Sequence, residues 1–122
     1  ETPLVLDGAM GTVIYQKGIF INACFDELNL INPKLIKSIH EDYVSAGSDV
    51  ILTNTFGANS FKLEKYGLKD KVYDINFAGV KLAKEAANAY TQDLAEFTVL
   101  NKALSGYNFY PLYRIDFSTI TY

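Results

Sequence analysis

The chain has one cysteine, one histidine, one methionine, three prolines and no tryptophan. A lone Cys24 forms neither an internal disulfide nor a CxxC metal or redox pair, and His40 has no second histidine or cysteine at ligand spacing. Cysteine usage this sparse fits a reducing, cytoplasmic location. Long apolar runs are also missing. Stretches such as Val50-Ile51-Leu52 end after a few residues, which excludes a membrane span, and the opening residues do not read as a secretory signal. Glu1 in place of methionine, running straight into an apolar segment, reads as a trimmed or incomplete N-terminus. Basic stretches are absent too: apart from Arg114 the cations are lysines scattered singly, and the net charge is −3. Nucleic acid and anionic membrane are therefore not expected as partners.

What is present is the balance of a soluble globular domain, 122 residues that are 49% hydrophobic and 20% charged. A closed eight-fold β/α barrel takes roughly 250 residues and rarely fewer than about 200, so this chain does not close one alone. Residues 3–6 form a short apolar run cut off by Asp7, Gly8 and Gly11, which reads as a buried strand ending in a loop. After an aperiodic stretch over 18–30, Asn32 and Pro33 supply a cap and a first helical residue. Leu35, Ile36, Ile39, Tyr43 and Val44 then recur at helical spacing up to Gly47. Residues 49–53 are β-branched and apolar, a second strand that exits through Asn54-Thr55-Phe56-Gly57. A short helix over 60–66 and a longer one over 70–88 follow, the latter with Val72, Ile75, Gly79, Leu82, Ala83 and Ala86 on one stripe. Strand, helix, strand, helix is the alternation of a parallel α/β sheet with covering helices.

The pattern changes near residue 89. Aromatics crowd into residues 89–122 and charges thin out, which divides the chain into a domain over 1–88 and a divergent, aromatic-rich C-terminal tail over 89–122. Leu94, Phe97, Leu100 and Leu104 sit three and four apart and fit a helix over 89–104; residues 107–122 alternate loosely like a strand that Pro111 breaks.

In parallel α/β folds ligands bind at the carboxyl ends of strands. Two segments stand there, Asp7-Gly8-Ala9-Met10-Gly11-Thr12 and Thr53-Asn54-Thr55-Phe56-Gly57. An aspartate at a strand exit receives an ammonium group, and a glycine beside it admits a ligand to backbone N–H donors, a combination suited to an amino acid. The plainer alternative is that Asp7 caps the turn and the glycines permit it. Asn54 and Thr55 offer an amide and a hydroxyl and Phe56 an apolar wall; they serve equally as an ordinary capped turn. His40 reads as a residue on the flank of its helix, and Cys24, with Asp26 and Glu27 nearby, as structural, since acidic neighbours raise a thiol pKa. The Lys62-Glu64-Lys65 cluster and the Lys69-Asp70-Lys71 run read as solvated helix surface.

The segments LDGAMGT at 6–12, FDELNL at 25–30, NPKLIKSIHEDYVSAGSDVILTNTFGAN at 32–59 and KLEKYGLKDKVYDINFAGVKLAKEAA at 62–87 carry a resemblance. Together they are similar to the homocysteine S-methyltransferase family, in particular the N-terminal homocysteine-binding barrel of cobalamin-dependent methionine synthases. The resemblance implies an incomplete (β/α)8 TIM barrel of which these are the N-terminal βα units. It implies homocysteine as substrate, its thiolate held on zinc and attacking a methyl group from methylcobalamin or another donor, with methyltetrahydrofolate reached through other domains. Carried over by position, Asp7 and Gly8 contact the amino and carboxylate groups of homocysteine, Thr55 and Phe56 line its pocket, and Asn54 stands behind them. The family's zinc cysteines lie on later strands and have no counterpart here, so this chain is expected to hold part of the substrate site and to be inactive by itself. Its partners are then the missing barrel half or other methionine synthase domains. The alternatives are a non-catalytic α/β domain that self-associates through an exposed sheet edge, and an unrelated binding protein using DGAMGT as an anion cradle.

Overall fold

The computed structural model describes residues 3–90 and 98–100. In chain order it contains α1 (Met10–Gln16), α2 (Leu28–Ile31), α3 (Pro33–Ser45), β1 (Val50–Leu52), α4 (Ser60–Glu64), a single 3-10 turn at Lys69–Lys71, α5 (Val72–Tyr90) and β2 (Thr98–Leu100). β1 pairs with β2 in parallel, with Val50, Ile51 and Leu52 opposite Thr98, Val99 and Leu100. On its other side Leu6 forms a parallel bridge to Val50. The Asp49 amide donates to the Val5 carbonyl (2.8 Å) and the Asp7 amide to the Val50 carbonyl (2.9 Å). The chain thus returns to the same direction twice through helical crossovers, as parallel pairing requires.

The two long helices behave as their periodicity predicts. Pro33 occupies the first turn of α3, and Gly47, at φ 104°, lies just beyond its end. Asn32, however, makes no side-chain cap bond. The buried face of α3 (Ile36, Ile39, Val44) packs on that of α5 (Leu82, Ala83, Ala87), and Ile51 of β1 closes the layer beneath. Met10 and Ile14 of α1 and Leu28 of α2 complete this core. A separate cluster of Cys24, Ala58, Leu63 and Ile75 seats α4 against α5.

Five expectations are corrected. Residues 3–6 pair with β1 but are not buried: Leu4, Val5 and Leu6 are 68%, 56% and 52% exposed. Burial on a sheet needs neighbours, and among the described residues this segment has β1 along one edge only. The loop after it is shorter than expected, because α1 begins at Met10. His40 is fully buried rather than flanking, since it lies beside Ile36 and Ile39 on the side of α3 that the rest of the chain covers. A helix over the whole of 89–104 does not stand, because Thr98–Leu100 is a strand, where the β-branched Thr98 and Val99 satisfy the free edge of β1; residues 91–97 lie outside the described residues. Lys62 is half-buried and lines a cleft rather than open surface, whereas Lys65, at the same cleft, is exposed as expected. The loose strand pattern over 107–122 lies outside the described residues.

Candidate functional site

A cleft of about 610 Å³ opens at the carboxyl-terminal end of the sheet. Residues 9–12 form one wall and residues 53–57 another; Phe25 and Asp26 close the side, and Lys62, Lys65 and Tyr66 stand at the α4 side. Of the residues singled out from sequence, Asn54, Thr55 and Phe56 line this cleft. Asp7 and Gly8 are not among its lining residues; they immediately precede the wall that begins at Ala9.

Each wall is fixed from behind. Asp7 Oδ2 accepts from the Leu52 amide (3.0 Å), tying the first strand's exit to β1. The Tyr43 hydroxyl, from α3, donates to the Ala9 carbonyl (3.0 Å), and its ring sits so close to Gly8 that a Cβ there would lie 2.8 Å from the hydroxyl oxygen. Burial, and secondarily the charge of Asp7, push the Tyr43 phenol above its ordinary value, so it stays a donor.

The second wall is held by a pair of asparagines. The Asn29 amide nitrogen donates to the carbonyls of Asn54 (2.8 Å) and Ile75 (3.2 Å). The Asn54 amide nitrogen donates to the Phe25 carbonyl (2.8 Å) and to Asn29 Oδ1 (3.1 Å). Asn54 is therefore committed to α2 and the loop before it. Thr53 and Thr55, both buried, share a hydroxyl contact of 2.6 Å, which tightens the turn that presents Phe56. Phe56 itself is 56% exposed and lies under the Lys62 ammonium, 4.1 Å from the ring centroid.

Asp26, Asn29 and Lys62 were not singled out as site residues from sequence. Asp26 Oδ1 accepts from the Gly57 amide (2.9 Å), and its Oδ2 occupies the space a Gly57 side chain would need. Burial holds its carboxyl above the usual carboxylate range, while the Gly57 N–H and the Lys62 charge act in the opposite direction. The native state thus binds this proton more tightly than the unfolded chain does. Stability from this group is present at low pH and declines as pH rises from the ordinary carboxylate range through the raised value.

The donor set does not fit zinc. Cys24 is buried beside Ala58, Leu63 and Ile75, and burial first, then the neighbouring Asp26 and Glu27 charges, push its thiol up, the reverse of a ligating thiolate. His40 is sealed inside α3's packing, and no group of three or more His, Cys, Asp or Glu among the described residues is placed to hold a metal.

Parallel βα units with a cleft at the carboxyl-terminal ends of the strands define a class of small-molecule sites built on loops. The homocysteine S-methyltransferase family profile matches residues 4–119, and the chain belongs to that family. The match reaches well past the segment at 62–87 that carries the sequence resemblance. The chain is 34% identical over 94 residues to the methionine synthase of Mycobacterium leprae (strain TN), covering 72% of this chain and 8% of that protein. It is 33% identical over 91 residues to the methionine synthase of Mycobacterium tuberculosis (strain ATCC 25618 / H37Rv), covering 70% and 8%. Among solved structures it is similar to the homocysteine methyltransferase MmuM from Escherichia coli. The metallated form superposes with a TM-score of 0.72 at 25% identity, covering 83% of this chain and 38% of that one. The oxidized form gives 0.67 at 26% identity, covering 80% and 37%. The chain thus spans a small part of the methionine synthases and well under half of MmuM.

Proposed function

We propose that this chain forms the opening βα units of a homocysteine-binding (β/α)8 barrel, and that its cleft holds part of the homocysteine site for methyl transfer to the homocysteine thiol, yielding methionine. The observation that carries this is the position of the cleft in a member of this family: residues 9–12 and 53–57 converge on it from two adjacent parallel strands. Residues 9–12 line one side and the Thr55–Gly57 turn, with the exposed Phe56 ring, lines the other, while the Asn54 amide braces that turn through Phe25 and Asn29. Zinc and the methyl donor, cobalamin-bound or otherwise, are then supplied from outside the described residues.

Calorimetry of the full chain with homocysteine tests the reading. A saturable heat is expected, and its absence overturns the proposal. Asp7→Asn keeps an acceptor for the Leu52 amide and removes the charge. Direct contact between Asp7 and the substrate ammonium predicts about tenfold or more weaker binding. Unchanged affinity restricts Asp7 to holding the wall.

A second reading rests on the exposed edge formed by Leu4, Val5 and Leu6. A parallel edge with apolar side chains that is unpaired among the described residues is a template for a further strand, from the rest of a barrel or from a second copy. If a second copy takes it, sedimentation equilibrium shows a dimer that Val5→Lys dissociates. A monomer at all concentrations removes self-association.

A further inference from the structure

Tyr43, in the last turn of α3, is half-buried and packs against two parts of the core at once, the one around Ile36 and Ile39 and the one around Val44 and Ile51. Its ring is thereby fixed, while its hydroxyl meets the exit of the first strand, 34 positions earlier in the chain. The hydroxyl donates to the Ala9 carbonyl (3.0 Å). The ring fills the space of a Gly8 side chain: a Cβ there would lie 2.8 Å from Oη and 3.0 Å from Cε1. Burial, with the Asp7 charge acting in the same direction, keeps the phenol protonated and so a donor. Asp7 is anchored from the other side, its Oδ2 accepting from the Leu52 amide (3.0 Å) and its own amide donating to the Val50 carbonyl (2.9 Å). β1 therefore fixes Asp7, and α3 fixes the two residues after it. Gly8 has no side chain to restrict its backbone, so the peptide groups on either side of it take their directions from these two anchors. Tyr43 itself does not line the cleft.

We propose that Tyr43 is a positioning residue for the carboxylate of the substrate: it makes no contact with the ligand and acts through Gly8 and Ala9, holding their backbone N–H groups toward the amino-acid end. The inference rests on the cleft being the homocysteine site, with Asp7 taking the ammonium group and the backbone at Gly8 the carboxylate, and it adds a residue of α3 to that arrangement. A backbone N–H recognises a carboxylate only over a limited range of directions, so its contribution depends on what fixes the peptide. Asp7 reaches the ligand through its own side chain and is held by β1, so the ammonium end is independent of Tyr43. The two groups of the substrate are thus positioned by different elements, one by a strand and the other by a helix.

Three ligands separate positioning from general bracing. Homocysteine, γ-mercaptobutyrate, which lacks the amino group, and γ-mercaptopropylamine, which lacks the carboxylate, are titrated by calorimetry into the full chain as wild type, Tyr43→Phe and Tyr15→Phe. Tyr15 is an exposed tyrosine outside the cleft and serves as the control. Wild type and Tyr15→Phe are expected to bind homocysteine about tenfold or more tighter than either analogue. Tyr43→Phe is expected to weaken homocysteine and γ-mercaptobutyrate alike by about fivefold, the value of one hydrogen bond, and to leave γ-mercaptopropylamine unchanged. The phenyl ring still fills its place in the core, so the midpoint of thermal unfolding is expected to fall by only about 4–8 °C. If all three ligands weaken together, Tyr43 braces the wall and nothing more, and the proposal is wrong. It is equally wrong if none weakens, or if γ-mercaptopropylamine alone does. If the wild type binds no homocysteine, the substrate reading falls and the positioning role falls with it.

Discussion

Replacing Asn29 by alanine is expected to lower the midpoint of thermal unfolding by about 10 °C or more, through a loss of about 3 kcal/mol. The side chain makes three buried hydrogen bonds, to the Asn54 and Ile75 carbonyls and from the Asn54 amide. It is 2% exposed, so water does not replace them. Alanine strands two carbonyl acceptors, each carrying a desolvation penalty of about 1–3 kcal/mol, and frees the loop that carries Asn54. Asn29→Asp is expected to be at least as damaging, since it sets a carboxylate oxygen against the same two carbonyls. Because Asn29 and Asn54 share a bond, the Asn29→Ala and Asn54→Ala losses are expected to be non-additive, with the double variant less damaged than the sum. A midpoint for Asn29→Ala within a degree or two of wild type would show that the pair does not brace the wall.

Gly79→Ala is the second large effect, and its sign is opposite to what helix propensity alone gives. Alanine inside a helix gains up to about 1 kcal/mol over glycine. At Gly79, however, a Cβ would lie 2.6 Å from Thr55 Cγ2 and 2.9 Å from Asn29 Nδ2. Neither neighbour yields easily: Thr55 is fully buried and Asn29 is hydrogen-bonded on both sides. Overpacking of this kind costs about 1–3 kcal/mol, and displacing the Asn29 amide adds to it. The net expectation is a loss of about 2 kcal/mol, read by denaturant unfolding. Adding Thr55→Ser removes the methyl group and keeps the hydroxyl, and is expected to recover part of the loss. If Gly79→Ala instead stabilises the protein, the close approach of α5 to the cleft loop does not depend on a glycine at this position.

These two residues show how the cleft is braced. α5 comes close enough at Gly79 for the loop after β1 and the start of α2 to share one amide network, and that network holds Thr55 and Phe56 at the cleft wall. Tyr43 does the same for the other wall from α3. The cleft is thus shaped by helices that contribute no side chain to its lining, an arrangement suited to holding binding groups rigidly.

Much of the secondary structure was legible in the sequence because it depends on local physics. The spacing of Ile36, Ile39 and Val44, and of Ile75, Leu82, Ala83 and Ala86, marks the covered faces of α3 and α5 without knowledge of what covers them. Val50–Leu52 reads as a strand from its β-branched residues, and the polar segments that follow residue 6 and residue 52 read as strand exits. The motifs in those exits also carried the family, since their residues stand at a fixed separation along the chain.

What depends on contacts between distant residues could not be read that way. Asp26 meets Gly57, and Asn29 meets Asn54, across 31 and 25 positions in sequence. In isolation FDELN looks like a polar loop, and Lys62 looks like one more solvated lysine until Phe56 is placed beneath it. His40 reads as a flank residue because periodicity gives an angle on a helix, not the breadth of what packs there. Residues 3–6 read as buried because apolar runs usually are, whereas burial also needs neighbours, and β1 supplies one side alone among the described residues. The sequence by itself determined α3, β1, α4 and α5, the two strand exits and the family. Only the tertiary structure decided which charges face the cleft and which polar side chains brace it, because hydrogen bonds and burial are set by proximity in space.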